Sequence, residues 1–266
     1  MKISIYSFAL VLCFSGILCR KVPSKKELLS SLKEPVYSLE NPLLYLESSD
    51  GDMVIEIFQD AAPRFISWIN HKKSELAKKQ ANGSSNLLLV SGIAIKRILP
   101  YFFIESNAWM NNTRQPSPLK INADVLGLDK IKVKDVASYS GLARQQAMHQ
   151  LGLANQQEIN QYRERFNREL DKILNMSVAR FLSFQGIKFD RTVMSYKNEK
   201  YTVALNPKGL VLFNLSNNLQ FDGRHQVFGR IIRGKTVAET ISKSERNMAT
   251  NAPQEKIKID NIYLIE

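Results

Sequence analysis

Three stretches of this chain have residue types and spacing that could do chemistry. The first is Ile93-Ala94-Ile95-Lys96-Arg97-Ile98-Leu99-Pro100-Tyr101-Phe102-Phe103-Ile104-Glu105, where Arg97 stands in an apolar run. The second is Phe221-Asp222-Gly223-Arg224-His225-Gln226-Val227-Phe228-Gly229-Arg230-Ile231-Ile232. The third is Leu210-Val211-Leu212-Phe213, preceded by Asn206-Pro207-Lys208-Gly209. A guanidinium stays charged and presents rigid, directional N–H donors. Fixed beside an apolar surface, it can favour one electronic form of a bound group over another without any nucleophile. Taken alone, an arginine in an apolar strand is more often a paired structural residue. Other chemistry has little to draw on. The only cysteines, Cys13 and Cys19, lie in the N-terminal apolar run, and the three histidines are scattered. No metal ligand set and no cofactor is expected.

The second stretch closely resembles the cyclophilin segment Leu-Asp-Gly-Lys/Arg-His-x-Val-Phe-Gly-x-Val. The first resembles that family's Phe-His-Arg-Ile-Ile-Pro-x-Phe-x-x-Gln, with Arg97, Pro100 and Phe102 in register. The order hairpin, Ala62-Pro63, helix also resembles the cyclophilin N-terminus. The resemblance covers roughly residues 41–110 and 200–266. It implies a peptidyl-prolyl cis-trans isomerase that acts on proline-containing polypeptides without a cofactor. The barrier to be lowered is about 18–20 kcal/mol, set by amide resonance. A donor aimed at the prolyl nitrogen stabilises the twisted amide, where that nitrogen gains a lone pair. The resemblance gives this role to Arg97. It places Phe102 and Leu212 along the proline pocket, Phe103 and Phe221 nearby, His225 at the rim, and Glu105 and Asn206 among the backbone contacts.

Several positions depart from the family pattern. Glu105 replaces a Gln, and can either orient Arg97 or divert it. Leu210 replaces another Gln, Leu212 a Phe, Gln220 a Trp or Phe, and Lys96 a His. The usual Asn-Ala-Gly loop is shortened to Asn206-Pro207-Lys208-Gly209. A second function class is therefore open: a catalytically weak chaperone or adaptor of cyclophilin type. A third is a structural surface lipoprotein.

The elements that must position these residues are legible. Leu43–Glu47 and Met53–Phe58 alternate or run apolar around Asp50-Gly51, a hairpin signal. Pro63 suits the first turn of a helix that carries Phe65, Ile66, Ile69 and Leu76. Tyr201–Leu205, Leu210–Phe213 and Ile257–Ile265 read as further strands, and Val237–Ser242 as a short helix. The expected fold is mainly β with α: a closed antiparallel barrel capped by helices, built from residues 41–110 and 196–266. Residues 111–195 are an inserted helical hairpin. One helix runs from about Gly141 to Leu151 and stops at Gly152. A longer one starts at the Asn155/Glu158 capping box, carries Ile159 to Leu182, and stops at Gly186. The insertion is either a cover for the barrel or an arm that binds clients and partners.

The N-terminus reads as an export signal over residues 1–19, with Lys2 before the uncharged run Ile3–Leu18. Cys19 ends that run, as the lipidated cysteine of a bacterial lipoprotein does. Periplasmic or cell-surface location is expected, with anchoring through lipidated Cys19, simple cleavage near it, or an uncleaved anchor. Residues 20–40, polar and Lys-rich, read as a tether. The net charge of +12 suits a solvated basic surface. No aromatic-interleaved basic stripe points to nucleic acid, and a monomer is expected. Asn-x-Ser/Thr sequons begin at Asn82, Asn111, Asn175 and Asn214, and matter only in a eukaryotic secretory pathway.

Overall fold

The structure is a computed structural model describing residues 22–77, 86–110 and 119–266. The N-terminal run expected to direct export, with Cys13 and Cys19, and the sequons at Asn82 and Asn111, lie outside the described residues.

Eight strands form the barrel: β1 (Leu43–Ser48), β2 (Met53–Ile57), β3 (Asn86–Leu99), β4 (Phe103–Ala108), β5 (Thr202–Leu205), β6 (Leu210–Asn214), β7 (Gln226–Arg233) and β8 (Lys258–Ile265). Their order is β1-β2-β7-β5-β6-β4-β3-β8, closed on itself, with antiparallel pairing throughout. Closure leaves no strand edge unpaired. Alternate residues point inward, so Leu44, Leu46, Met53, Ile55, Ile57, Val211, Phe213, Ile262 and Leu264 fill one core.

Helices close the ends. α1 (Lys25–Ser30) precedes the barrel, and α2 (Pro63–Ala77) buries Phe65, Trp68 and Ile69. Phe65 stacks on Phe228 with ring centroids 3.9 Å apart. Between β4 and β5 come α3 (Ala123–Leu126), α4 (Ser140–Leu151), α5 (Gln156–Gln161), α6 (Arg163–Asn175) and α7 (Val178–Phe184). After β7, α8 (Lys235–Ser242) buries Ala238 and Ile241 in the barrel core.

Two expectations are corrected. The first concerns residues 20–40, read as a tether. From Val22 onward they are folded onto the barrel. Ser24 and Glu27 form a capping box for α1, which places Leu28 in a cluster with Leu43, Tyr45, Val54, Ile232 and Ile265. Those barrel residues face outward and would otherwise meet water. Glu56, fully buried, holds the following loop: its carboxylate accepts from Tyr37 N at 2.7 Å, Ser38 N at 3.1 Å and Asn41 Nδ2 at 2.8 Å. Arg230 Nε lies 3.0 Å from the other oxygen.

The second correction concerns the insertion, expected as a hairpin. It has a core of its own, with Leu126, Val133, Tyr139, Phe166, Ile173 and Phe181 at its centre. α4 stops at Gly152 in the left-handed region, as its sequence requires. The long helix beyond Asn155 breaks twice, however. Tyr162 leaves helical geometry (φ −107°, ψ 30°), and Met176 is extended. Ser177 then caps α7 through Arg180 N. The apolar stripe has helical spacing within each piece, and the breaks let three short faces close on one core. At the neck, Asn122 ties the two ends of the insertion together. Its Nδ2 donates to Arg191 O (3.0 Å) and Val193 O (3.2 Å), while Ser195 Oγ accepts from its N–H.

Candidate active site

Arg97 is near the end of β3, where a tight turn sets its register. Phe102 N donates to Leu99 O, and Tyr101 takes φ 60°, the left-handed conformation that lets the chain reverse. Leu99 then pairs with Phe103, Ile98 with Ile104, and Arg97 with Glu105. Period-two alternation puts Arg97, Phe103 and Glu105 on the outer barrel face. Arg97 Nη2 lies 3.1 Å from Glu105 Oε2, and its guanidinium carbon sits 5.0 Å from the centroid of the Phe103 ring. The carboxylate is therefore engaged with the arginine, a pairing that both orienting and diverting Arg97 would require. Arg97 is 43% exposed and Glu105 only 11%. Arg97 Nε is enclosed without a protein partner.

Phe102, Phe103 and Phe221 form a triangle, with ring centroids 5.5 to 6.1 Å apart. His225 packs on Phe221 at 4.5 Å. Phe103 and Leu212 are buried (4% and 1% exposed), while Phe102 and Phe221 are partly exposed. Leu212 lies opposite Glu105 across β4 and β6, beneath the open surface.

The Phe221–His225 turn is fastened by a buried polar network. Asp222 Oδ1 accepts from Asn198 N (2.7 Å) and Asn198 Nδ2 (3.0 Å). Asn214 Nδ2 donates to Asn198 Oδ1 and Thr202 Oγ1, and Asn218 Nδ2 donates to Asn214 Oδ1 and Phe102 O. Asn198, Asn214 and Asn218 are fully buried. Burial pushes the Asp222 carboxyl above its usual value, against the lowering effect of the Asn198 donors. Gln220 turns its Nε2 toward Asn218 Oδ1 at 3.3 Å.

Asn206 heads the β5–β6 turn. Its Oδ1 accepts from Leu210 N (2.9 Å), and Gly209, at φ 81°, closes the turn onto Asn206 O. Arg64 of α2 donates to Pro207 O and supports this loop.

A cavity of about 550 Å³ lies beside Arg97. Arg97, Glu105, Asn206, Leu210 and His225 line one side. Leu142, Leu182, Gln185 and Ile187 line the other, and all four belong to the insertion. Pro207, Lys208 and Arg224 complete the rim. The cavity thus gathers Arg97, Glu105, Asn206 and His225 from the expected site. The insertion residues were missed, and no local signal in their sequence marks them. Arg224 and Lys208 sit inside motifs already singled out.

The insertion is bonded to the barrel face that carries the Phe221–His225 turn. Tyr139 Oη donates to Gln220 O (3.2 Å) and Asp222 O (3.4 Å), and burial pushes its hydroxyl up to about 12. Gln226 Nε2 donates to Lys120 O. Gly223 takes φ 79°, and an added Cβ would lie 2.6 Å from Leu182 Cδ1 and 2.8 Å from Leu128 Cδ1. Gly223→Ala meets both strain and overlap and is expected to cost roughly 1–3 kcal/mol. Hydrogen exchange should show the loss first at α7 and the Phe221 turn. Unchanged protection at both would contradict this docking.

His225 is set to remain neutral. Its surroundings, then the charges of Arg224 and Arg97, push its imidazole down from 6.5 to about 3. As pH falls, the unfolded chain takes this proton first. The stability from neutral His225 is complete above about pH 6.5 and drains away as pH falls toward about 3. Activity should therefore be level from about pH 8 to pH 5, across the ordinary histidine range. A pH–rate profile with an inflection near 6.5 in kcat/KM would contradict this.

Comparison with known proteins bears on the whole barrel. The profile of the family described as "Cyclophilin type peptidyl-prolyl cis-trans isomerase/CLD" matches residues 43–264. No curated protein matches the chain. Among solved structures, the chain is similar to a cyclophilin type peptidyl-prolyl cis-trans isomerase of Cryptosporidium parvum. The TM-score is 0.43 at 10% identity, covering 85% of this chain and 98% of that one. The same protein in the presence of the dipeptide Ala-Pro gives a TM-score of 0.43 at 10% identity, covering 84% and 99%. From the closed barrel, and from a family match running from the first strand into the last, the chain belongs to the cyclophilin-type peptidyl-prolyl cis-trans isomerase family.

Proposed function

We propose that this chain is an active peptidyl-prolyl cis-trans isomerase in which Arg97 stabilises the twisted prolyl amide of exported polypeptides. The supporting observation is Arg97 itself: paired with Glu105, set over Phe103, and open along a cavity whose rim holds neutral His225. Twisting the C–N bond pyramidalises the prolyl nitrogen, and a fixed guanidinium N–H meets the new lone pair. The planar amide gains less from the same donor, so the barrier falls. Phe102 and Phe221, partly exposed and packed on Phe103, offer the apolar surface for the ring beside the cavity; Leu212 is buried and outside the cavity lining. NMR exchange spectroscopy on an Ala-Pro-containing peptide, with catalytic amounts of protein, tests the proposal. Accelerated cis–trans exchange is expected, and a rate equal to the uncatalysed one refutes it.

Export is part of the same proposal. The uncharged run Ile3–Leu18 supports it, with either lipidation of Cys19 or cleavage beside it. Mass spectrometry of the mature N-terminus separates the two outcomes.

A second reading, a holding chaperone or adaptor, is favoured by Leu142, Leu182 and Ile187 lining the cavity. It expects Arg97→Ala protein to suppress client aggregation as well as the parent does. Isomerase-dependent assistance expects that variant to fail.

A further inference from the structure

The cavity beside Arg97 carries an unbalanced charge. Arg97, Lys208 and Arg224 bring three cations to its lining, and Glu105 brings one anion. That anion is engaged with Arg97. Lys208 and Arg224 are exposed at the rim, and neither makes an ion pair among the described residues. The facing wall is mostly apolar: Leu142 from α4 and Ile187 beyond α7, with Leu182 of α7 almost wholly buried behind them and Gln185 as its one polar side chain. A concave site with one sign of charge and low-dielectric walls concentrates its field on what enters. A side chain suited to it has an aliphatic stem and a negative head.

Resting on the isomerase reading, we infer that this cavity selects clients with a glutamate or aspartate close to the proline. The carboxylate is set between Lys208 and Arg224, and the stem lies against the Leu142–Ile187 wall. A lysine or arginine at the same place is repelled by the same pair. Selection thus comes from attraction and repulsion together. The insertion gains a stated role: it converts an open barrel face into a lined compartment for the residue beside the proline.

Short peptides test this, with glutamate, glutamine or lysine placed in turn at each of the two positions on either side of one proline. At low salt, kcat/KM for glutamate should exceed that for lysine by about tenfold at one position at least, and the gap should narrow at high salt. In the Lys208→Glu/Arg224→Glu protein the order should reverse. Equal kcat/KM for all three residues at every position overturns the inference and leaves isomerase activity standing. So does a preference that survives the double reversal. If no peptide is turned over, the isomerase reading fails, and NMR titration of the same peptides decides the inference alone. Tighter binding of a glutamate peptide, lost in the double variant, upholds it, and equal binding overturns it.

Discussion

Arg97→Ala is expected to lower kcat/KM for a proline peptide by about 10²–10³-fold. That is the scale on which removing one preorganised donor acts on a transition state, about 2.7–4 kcal/mol. The effect should fall on kcat, because the donor meets a lone pair that exists only in the twisted amide. The single variant has a second consequence. Glu105, 11% exposed, loses its cation and faces the substrate as a bare carboxylate. Arg97→Ala/Glu105→Gln separates the two effects, and should recover whatever part of the loss came from the stranded charge. Arg97→Lys keeps a charge but not the rigid fork, and should fall between parent and alanine. Glu105→Gln alone keeps an acceptor beside Arg97 and removes the opposing charge, so kcat/KM should rise by about two- to fivefold. A rate for Arg97→Ala within about twofold of the parent would remove Arg97 from the mechanism.

Glu56→Ala is expected to be the largest single loss of stability, about 3–5 kcal/mol, as when one partner of a buried ion pair is deleted. The carboxylate is fully buried and satisfies Tyr37 N, Ser38 N, Asn41 Nδ2 and Arg230 Nε at once. Alanine orphans two backbone donors and a guanidinium that also stacks on Tyr37 at 4.0 Å. Denaturant unfolding monitored by fluorescence measures the loss. Glu56→Gln, which keeps an acceptor and drops the charge, should lose less. A cost below about 1 kcal/mol for Glu56→Ala would show that the segment from Val22 to Asn41 is not held this way.

Most of the barrel was legible because its signals are local. Alternating apolar runs, Asp50-Gly51, Pro63 and Asp222-Gly223 each fix a short piece of backbone by sterics. The pairing of Arg97 with Glu105 was only half legible: the spacing put a carboxylate near the arginine, but the turn after Leu99 that sets their register lay hidden inside what read as one apolar run. What stayed hidden depends on long-range docking. Leu142 and Leu182 carry the same helical spacing as their core neighbours, and only the packing of the insertion on Gly223 turns them toward the cavity. The segment from Val22 looked like a tether because its apolar residues are few. Their partners, Leu43, Tyr45 and Ile265, lie on the outer wall of a barrel whose inward positions already account for a core.

The docked N-terminal segment sets the length of a leash. Asn86 Nδ2 donates to Val22 O at 3.1 Å, so the chain is fastened to the barrel from its first described residue. Between Cys19 and Val22 stand only Arg20 and Lys21. Fully extended, that stretch reaches roughly 10 Å. A lipid on Cys19 would therefore hold the barrel almost in contact with the bilayer, with no slack to swing. Polypeptides handled by the proposed isomerase would then be met only in the first layer beside the headgroups, as they emerge or spread along the surface. Lengthening the leash between Cys19 and Val22 with a flexible spacer would widen that reach without touching the active site.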